Sequence, residues 1–246
     1  MNKVLILIPS RLSAKRLPRK PLLKISNLPI ISHVVKRGQE TGLGEVIVCA
    51  EDNEIVSAVE ENGGQAILTG NYHKNGTERI YEGLQKLKMT NVDHVLSLQG
   101  DEPEINPEDI IHLYNNMIKN NSDMGTLAAK ITEHSMFYNK NVVKVKTQEK
   151  LKNNNFVLAT DFSRDDLSKQ SSNVYHHIGI YCYKTSTLKK FVNLKQTKNE
   201  KNNRLEQLRA IDNNINIRVA LANFSPIGVD TKEEYLALKK IMEYKS

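Results

Sequence analysis

Three short stretches of this 246-residue chain carry side chains suited to phosphate chemistry. The first is a basic run, Arg11, Lys15, Arg16, Arg19 and Lys20, directly after the apolar segment Val4-Leu5-Ile6-Leu7-Ile8 and Pro9. Arginine suits phosphate because its donors form a planar fork, and lysine adds a point charge. The second is Gln99-Gly100-Asp101-Glu102-Pro103, where a carboxylate follows another apolar segment, and the third is Gly228-Val229-Asp230. Asp101 and Asp230 suit Mg²⁺, a hard cation that prefers oxygen ligands and accompanies polyphosphates. Together these stretches point to transfer of a nucleotidyl group from a nucleoside triphosphate. Each has a competing reading. The basic run could be a solvated surface loop and Asp101 a turn or capping residue. Asp230-Thr231 before Lys232-Glu233-Glu234 could be an N-cap, with Glu233 in the capping-box position.

The elements that must position these residues alternate along the first half. Val4 to Ile8 is continuously apolar, the pattern of a buried parallel strand. Strands are also expected over 45–50, 65–69 and 94–98. Helices are expected over 29–40, 53–61 (stopping at Gly63-Gly64) and 77–87 (capped by Thr77), and from Pro107 onward. This βαβ rhythm predicts an α/β fold with a doubly wound, mostly parallel sheet, whose ligands sit at the carboxyl ends of the strands. The basic run, the Gly76 loop and the Gln99–Pro103 loop all lie at such ends. The middle reads differently, with strands over 124–131, 142–146, 156–159 and 178–183. They predict a mixed or antiparallel β insertion that extends the sheet and covers the site. A polar loop over 195–203, a helix over 204–211, a strand over 217–222 and a last helix over 232–244 complete the chain.

Composition excludes several classes. The formal charge of +7 is scattered, and Trp is absent, so no basic stripe interleaved with aromatics suggests nucleic acid. No G-x-x-x-x-G-K-[ST] and no G-x-G-x-x-G after the first strand argue against a P-loop NTPase and a dinucleotide dehydrogenase. Cys49 and Cys182 lack the spacing of a metal site or redox pair, so they are expected as buried free thiols suited to a reducing cytosol. The N-terminal apolar run is too short for a signal peptide core, and no stretch is long enough to span a membrane. A soluble, cytoplasmic, single-domain protein over 1–246 is expected.

Seven motifs occur in order. They are Ile8-Pro9-Ser10-Arg11, Arg16-Leu17-Pro18-Arg19-Lys20-Pro21-Leu22, Gly76-Thr77-Glu78-Arg79, Leu98-Gln99-Gly100-Asp101-Glu102-Pro103, His177-Ile178-Gly179-Ile180-Tyr181, Leu205-Glu206-Gln207-Leu208-Arg209 and Gly228-Val229-Asp230-Thr231. In these, from residue 3 to about residue 240, the chain resembles the 3-deoxy-manno-octulosonate cytidylyltransferases of lipopolysaccharide biosynthesis. The resemblance implies a nucleotidyltransferase-type three-layer α/β sandwich, a homodimer, and an insertion over about 123–200 that serves the sugar side and dimerisation. It implies the Mg²⁺-dependent reaction of CTP with 3-deoxy-D-manno-octulosonate (Kdo) to give CMP-Kdo and pyrophosphate. It implies triphosphate binding by Arg11, Arg16 and Lys20, and nucleoside binding by Asn75, Gly76, Thr77 and Gln99. Asp101 and Asp230 would ligate metal, and Arg164, His177, Tyr181, Glu206 and Gln207 would face the sugar acid. Without the resemblance, His177 could be an ordinary strand histidine. Leu205 and Leu208 could be core, with Glu206, Gln207 and Arg209 as an exposed helix face.

Three positions depart from the family pattern. Arg19 stands where the family usually has Gly, and His176 where it has Arg. Asp165-Asp166 replaces a Pro-rich turn after Arg164, which raises the expectation that Arg164 is placed differently or neutralised. Two alternatives stay open: activation of a related sugar acid (amino-Kdo or a nonulosonic acid), and a nucleotide-binding relative without catalysis. Glu78 and Glu102 favour the Kdo pattern, and the intact Asp101 and Asp230 count against lost catalysis.

Overall fold

The computed structural model describes residues 3–13, 16–89, 91–169 and 171–244. The chain forms two compact units, Met1–Ile110 with Pro226–Ser246, and Ile111–Ser225. The first unit opens with β1 (Val4–Ser10) and reaches a 3-10 turn over Lys20–Leu22. It continues with β2 (Lys24–Ile25), β3 (Leu28–Pro29), α1 (Ile30–Glu40), β4 (Glu45–Ala50), α2 (Asn53–Glu60), β5 (Gln65–Leu68), α3 (Gly76–Lys86) and β6 (His94–Ser97). Helix α4 (Pro107–Lys119) carries the chain into the second unit. Strands β5, β4, β1 and β6 pair side by side, all parallel. Leu5, Ile6, Leu7 and Ile8 are fully buried, as a strand covered on both faces requires. β2 and β3 form a hairpin whose two turn residues, Ser26 and Asn27, both take positive φ, the primed geometry that suits strand twist.

The second unit holds β7 (Met124–Ala129), α5 (Ser135–Tyr138), β8 (Lys144–Thr147), β9 (Val157–Ser163), β10 (Val174–Lys184), α6 (Thr185–Val192), α7 (Lys198–Asn203), α8 (Leu208–Asp212) and β11 (Ile217–Leu221). Its strand pairing closes on itself. β10 runs antiparallel to β7, β7 parallel to β11, β11 antiparallel to β9, β9 antiparallel to β8, and β8 antiparallel to β10. The mixed β character expected for the middle is observed here. The final helix, α9 (Lys232–Tyr244), returns to the first unit. There Val229 and Leu238 pack with Ile25 and Ile30 in one buried cluster.

Local differences from expectation have identifiable causes. Helix α3 is capped by Asn75, whose side chain accepts the Glu78 N–H at 2.8 Å, so Thr77 lies inside the helix instead of at its cap. The segment expected as a polar loop over 195–203 contains α7, started by a capping box between Thr197 and Glu200. The helix expected from Arg204 begins later, because Arg204 takes left-handed φ and ends α7. Helix α6 follows β10 without a break and was hidden by its lysines. Among the described residues no helix is long and apolar enough to cross a membrane. Both thiols are buried and free, and burial pushes Cys49 up to about 12 and Cys182 higher still.

Candidate active site

In the first unit the basic run leaves β1 and is stitched to the start of α2. The Leu12 N–H donates to Asp52 Oδ2 at 3.1 Å, and the Arg19 N–H to the Leu12 carbonyl at 3.3 Å. Arg19 sits at φ 58 and sends its guanidinium fork onto the Glu54 carboxylate. That exposed pair turns Arg19 away to α2, while its neighbour Lys20 enters the 3-10 turn with its side chain largely buried. Lys15 lies outside the described residues. Arg11 is exposed, and its side chain makes no hydrogen bond or ion pair with a described residue.

Lys20 is the centre of the cluster. Its ammonium donates to Asp101 Oδ2 at 2.5 Å and to Asp230 Oδ1 at 3.0 Å. Arg16 donates to the other Asp230 oxygen at 2.6 Å. Burial pushes the Lys20 pKa down, but the two carboxylates outweigh it and raise it above the ordinary lysine value. Gly100 lets the Asp101 loop lie against β1. A Cβ there would stand 3.1 Å from the Pro9 carbonyl oxygen and 3.2 Å from Ile31. Gly76 likewise meets the end of β1, with a Cβ 3.0 Å from the Pro9 ring. Asn75, Gly76 and Thr77 thus form the N-terminus of α3, where Asn75 spends its side-chain oxygen on the cap, and Gln99 lies on the loop after β6.

The competing cap reading of Asp230 is overturned. Thr231 caps α9, accepting the Glu234 N–H at 3.2 Å, and Glu234 Oε2 accepts the N–H groups of Asp230 and Thr231 at 2.8 and 2.9 Å. The capping box falls one residue later than the sequence suggested, which leaves the Asp230 carboxylate to Lys20 and Arg16.

Glu102 was not expected in the site. Its Oε2 is buried without a hydrogen-bond partner among the described residues, and burial, then Asp101 and Asp230, push its carboxyl up to about 8 against the pull of Lys20. The signal was two adjacent carboxylates after a buried strand. Two carboxylates converging on one ammonium, beside a third with an orphaned buried oxygen, form an oxygen-only donor set that fits a hard divalent cation. No group of three or more His, Cys, Asp or Glu preformed for a metal exists among the described residues.

The second unit gathers the expected sugar-side residues. Between Ile178 and Tyr181 the register of β10 against β7 slips, with three residues of β10 spanning one step of β7. Thr126 holds this bulge, its hydroxyl lying 2.7 Å from the Ile180 carbonyl oxygen, 3.1 Å from that of Ile178 and 3.0 Å from His177 Nε2. A regular strand would place residues four apart about 13 Å from each other. The bulge instead brings the His177 and Tyr181 rings to 5.5 Å. Burial, then His176, lowers His177 to about 3, so its imidazole is neutral. The Tyr181 hydroxyl is buried without a hydrogen-bond partner among the described residues, and burial, Tyr183 and Glu206 hold it protonated.

The exposed-face reading of the 205–209 segment is also overturned. Gln207 and Arg209 are buried. Arg209 forks onto Glu200 at 2.8 and 2.5 Å, stands 3.8 Å from Glu206 and covers the Phe191 ring. Arg164 donates to the Lys140 carbonyl at 3.0 Å.

Comparison with known proteins places the molecule. A cytidylyltransferase family model matches residues 5–217. A 3-deoxy-manno-octulosonate cytidylyltransferase from Bartonella tribocorum is 37% identical over 243 residues, covering 97% of this chain and 98% of its own. One from Afipia carboxidovorans is 38% identical, with 98% and 97% covered. The chain belongs to the 3-deoxy-manno-octulosonate cytidylyltransferase family. A solved CMP:2-keto-3-deoxy-manno-octonic acid synthetase complexed with CTP is 32% identical and superposes with a TM-score of 0.89, covering both chains completely. More distant likeness, such as a UDP-glucose pyrophosphorylase at TM-score 0.70 and 12% identity, marks the α/β nucleotidyltransferase fold alone.

Against the cytidylyltransferase pattern, the three departures now have physical descriptions. The position of Arg19 requires left-handed φ, the conformation glycine adopts without steric cost, and here the Glu54 fork accompanies the L-residue. In place of the Pro-rich turn, the Asp165 N–H donates to Ser163 Oγ and the Ser168 N–H to Asp166 Oδ1, both at the short side-chain-to-backbone range of local turns. Asp165 lies 4.0 Å from Lys140 Nζ. His176 contacts Ser225 through Nδ1, and burial, then Lys144, lowers it to about 4.

Proposed function

We propose that this protein transfers CMP from CTP to the anomeric hydroxyl of Kdo, releasing pyrophosphate, with Mg²⁺ held by Asp101 and Asp230. The observation that carries the reading is Lys20, gripped by both carboxylates in the 3-10 turn that follows β1, in a chain that matches a family member over 97% of its length. Lys20 and Arg16 are the donors for the triphosphate, and Arg11 extends that basic surface. Asn75, Gly76, Thr77 and Gln99 line the nucleoside side. Arg164 suits the sugar carboxylate, because a guanidinium fork matches two carboxylate oxygens. Glu206 and Gln207 suit sugar hydroxyls, and Tyr181 brings a protonated hydroxyl beside neutral His177.

The chemistry asks for positioning and charge stabilisation more than for a side-chain base. Mg²⁺, when bound, would withdraw charge from phosphate oxygens and lower the pKa of the attacking hydroxyl. Asp101 and Asp230 supply the negative charge that retains it, and Lys20 and Arg16 balance the charge that develops on the departing pyrophosphate. Two buried thiols fit a cytoplasmic setting, and the family resemblance supports a three-layer sandwich acting as a homodimer, with about 123–200 on its sugar and dimer side. Pyrophosphate release with Mg²⁺ and CTP, with and without Kdo, tests the reading. Kdo-dependent release supports it. Release only with another sugar acid or nucleotide would move the error to a recognition pocket, and silence with every pair would refute transfer.

A further inference from the structure

Lys144 is fully buried, yet no carboxylate lies in ion-pair range of it among the described residues. Its ammonium is satisfied by three backbone carbonyls, of Asn139 at 2.9 Å, Val142 at 3.0 Å and Arg164 at 2.7 Å. Asp166 and Asp165 act on this cation only from beyond contact and do not offset its desolvation, and an alkyl side chain of similar length would fill the same space without that cost. Its three acceptors belong to two separate pieces of chain, the turn over 139–142 and the end of β9. The same turn supplies the carbonyls of Lys140 and Asn141 that receive the Arg164 guanidinium, at 3.0 and 3.5 Å. Lys144 therefore fixes Arg164 at both ends. It bonds the Arg164 backbone directly, and it holds in place the turn on which the Arg164 side chain rests. The ammonium thus ties the Arg164 backbone to the turn that receives its guanidinium.

We propose that Lys144 is a positioning residue for sugar-acid recognition: its ammonium, seated on the carbonyls of Asn139, Val142 and Arg164, aims the Arg164 fork at the substrate carboxylate. This rests on the reading of Arg164 as the carboxylate-binding residue of a Kdo cytidylyltransferase. Removing the ammonium takes a donor from the carbonyls of Val142 and Arg164, while that of Asn139 keeps the Val142 N–H, so the link between the two pieces of chain is lost and Arg164 loses its aim. The nucleotide side, which belongs to the other unit, keeps its own residues.

The test is steady-state pyrophosphate release by wild type, Lys144→Met, Lys144→Gln, Arg164→Ala and the Lys144→Met/Arg164→Ala double variant. Lys144→Met is expected to raise KM for Kdo about tenfold or more while KM for CTP stays within about twofold, the pattern of a lost substrate-orienting contact. Lys144→Gln, whose amide retains two donors, should lie between it and wild type. Arg164→Ala should raise KM for Kdo similarly, and the double variant should add little beyond either single change, as coupled residues do. A folded Lys144→Met with unchanged KM for Kdo overturns the proposal, as does an additive double variant or an Arg164→Ala enzyme with normal KM for Kdo. If Lys144→Met does not fold, Lys144→Gln and Arg164→Ala decide by the same criterion. A wild type that ignores Kdo but uses another sugar acid refutes the substrate reading alone, and the same variants are then read on that acid.

Discussion

Replacing Gly83 by Ala should destabilise the protein even though Ala is the better helix former. Gly83 lies inside α3, the helix whose N-terminus carries Asn75, Gly76 and Thr77. A Cβ at Gly83 would stand 2.3 Å from Cys49 Sγ on β4, against 3.5 Å from Cys49 Cβ and 3.8 Å from Ile67. Ordinary contacts need about 3.5–4.0 Å, so helix and strand must part by more than about 1 Å or the thiol must turn within a filled core. Overpacking of this kind costs about 1–3 kcal/mol, against a gain of about 1 kcal/mol in helix propensity. The net is a loss of up to about 2 kcal/mol, or roughly 2–4 °C in Tm per kcal/mol for a chain of this size. Cys49→Ala alone opens a small hole and should also destabilise. In the double variant the new methyl group enters the space of the lost sulfur, so its stability should return to near wild type, a favourable coupling of about 1–3 kcal/mol. Thermal and urea unfolding of the four proteins measure this. A Gly83→Ala protein more stable than wild type, or additive single changes, would refute the packing argument.

Asp101→Asn and Asp230→Asn should each keep the circular dichroism of wild type and lose about a hundred- to a thousandfold in kcat, the scale of removing one charge-stabilising group; retention of full turnover in either would remove that residue from the site. Arg19→Gly should leave KM for CTP within about twofold, because exposed ion pairs contribute little and the Arg19 fork goes to Glu54; a tenfold rise would show that Arg19 itself meets phosphate. Glu82 gives a pH signature. Burial pushes its carboxyl up, but bonds from Lys86, His73 and the Gly70 N–H outweigh it and hold it at about 2 against an ordinary 4.5. A depressed carboxylate stabilises the fold fully above 4.5 and loses that contribution as pH falls toward 2. Glu82→Gln should therefore lower Tm by roughly 3–12 °C at pH 7 and by progressively less below pH 4.5; a deficit that grows in acid would contradict the assignment.

Much of the first unit was legible because local pattern and tertiary role coincide there. Short continuous apolar runs of β-branched residues, alternating with amphipathic helical segments, fit buried parallel strands, and the residues that follow them fall at strand ends. Asp101 and Lys20 were found in that way. What escaped depends on contacts remote in sequence. Glu200 is a lone acid in a polar run until Arg209 forks onto it, so α7 looked like a loop. The β10 bulge arises from Thr126, fifty-odd residues earlier in the chain, and nothing in Ile178-Gly179-Ile180 alone dictates a two-residue slip. Lys144 alternates with Val143 and Val145 in a way that suggests a solvent-facing lysine, and only the Asn139–Val142 turn and Arg164 turn it inward. The offset cap at α9 was a choice between two neighbours, settled by the pull of Lys20 and Arg16 on Asp230.

The first unit is written in two pieces, and the second unit lies between them in the chain. A ribosome therefore delivers Lys20 and Asp101 early and Asp230 only after the whole of Ile111–Ser225 has been made. The apolar cluster of Ile25 and Ile30 waits for Val229 and Leu238 in the same way, and the Lys24 carbonyl for the Tyr235 hydroxyl. Closing so long a connection is affordable, since loop entropy grows by only about 0.6 kcal/mol per doubling of length. A nascent or truncated chain that stops before residue 229 thus exposes the Ile25–Ile30 surface and lacks one wall of the acidic cluster. The omission that bares apolar surface in an incomplete copy is the same one that leaves Lys20 and Arg16 without Asp230.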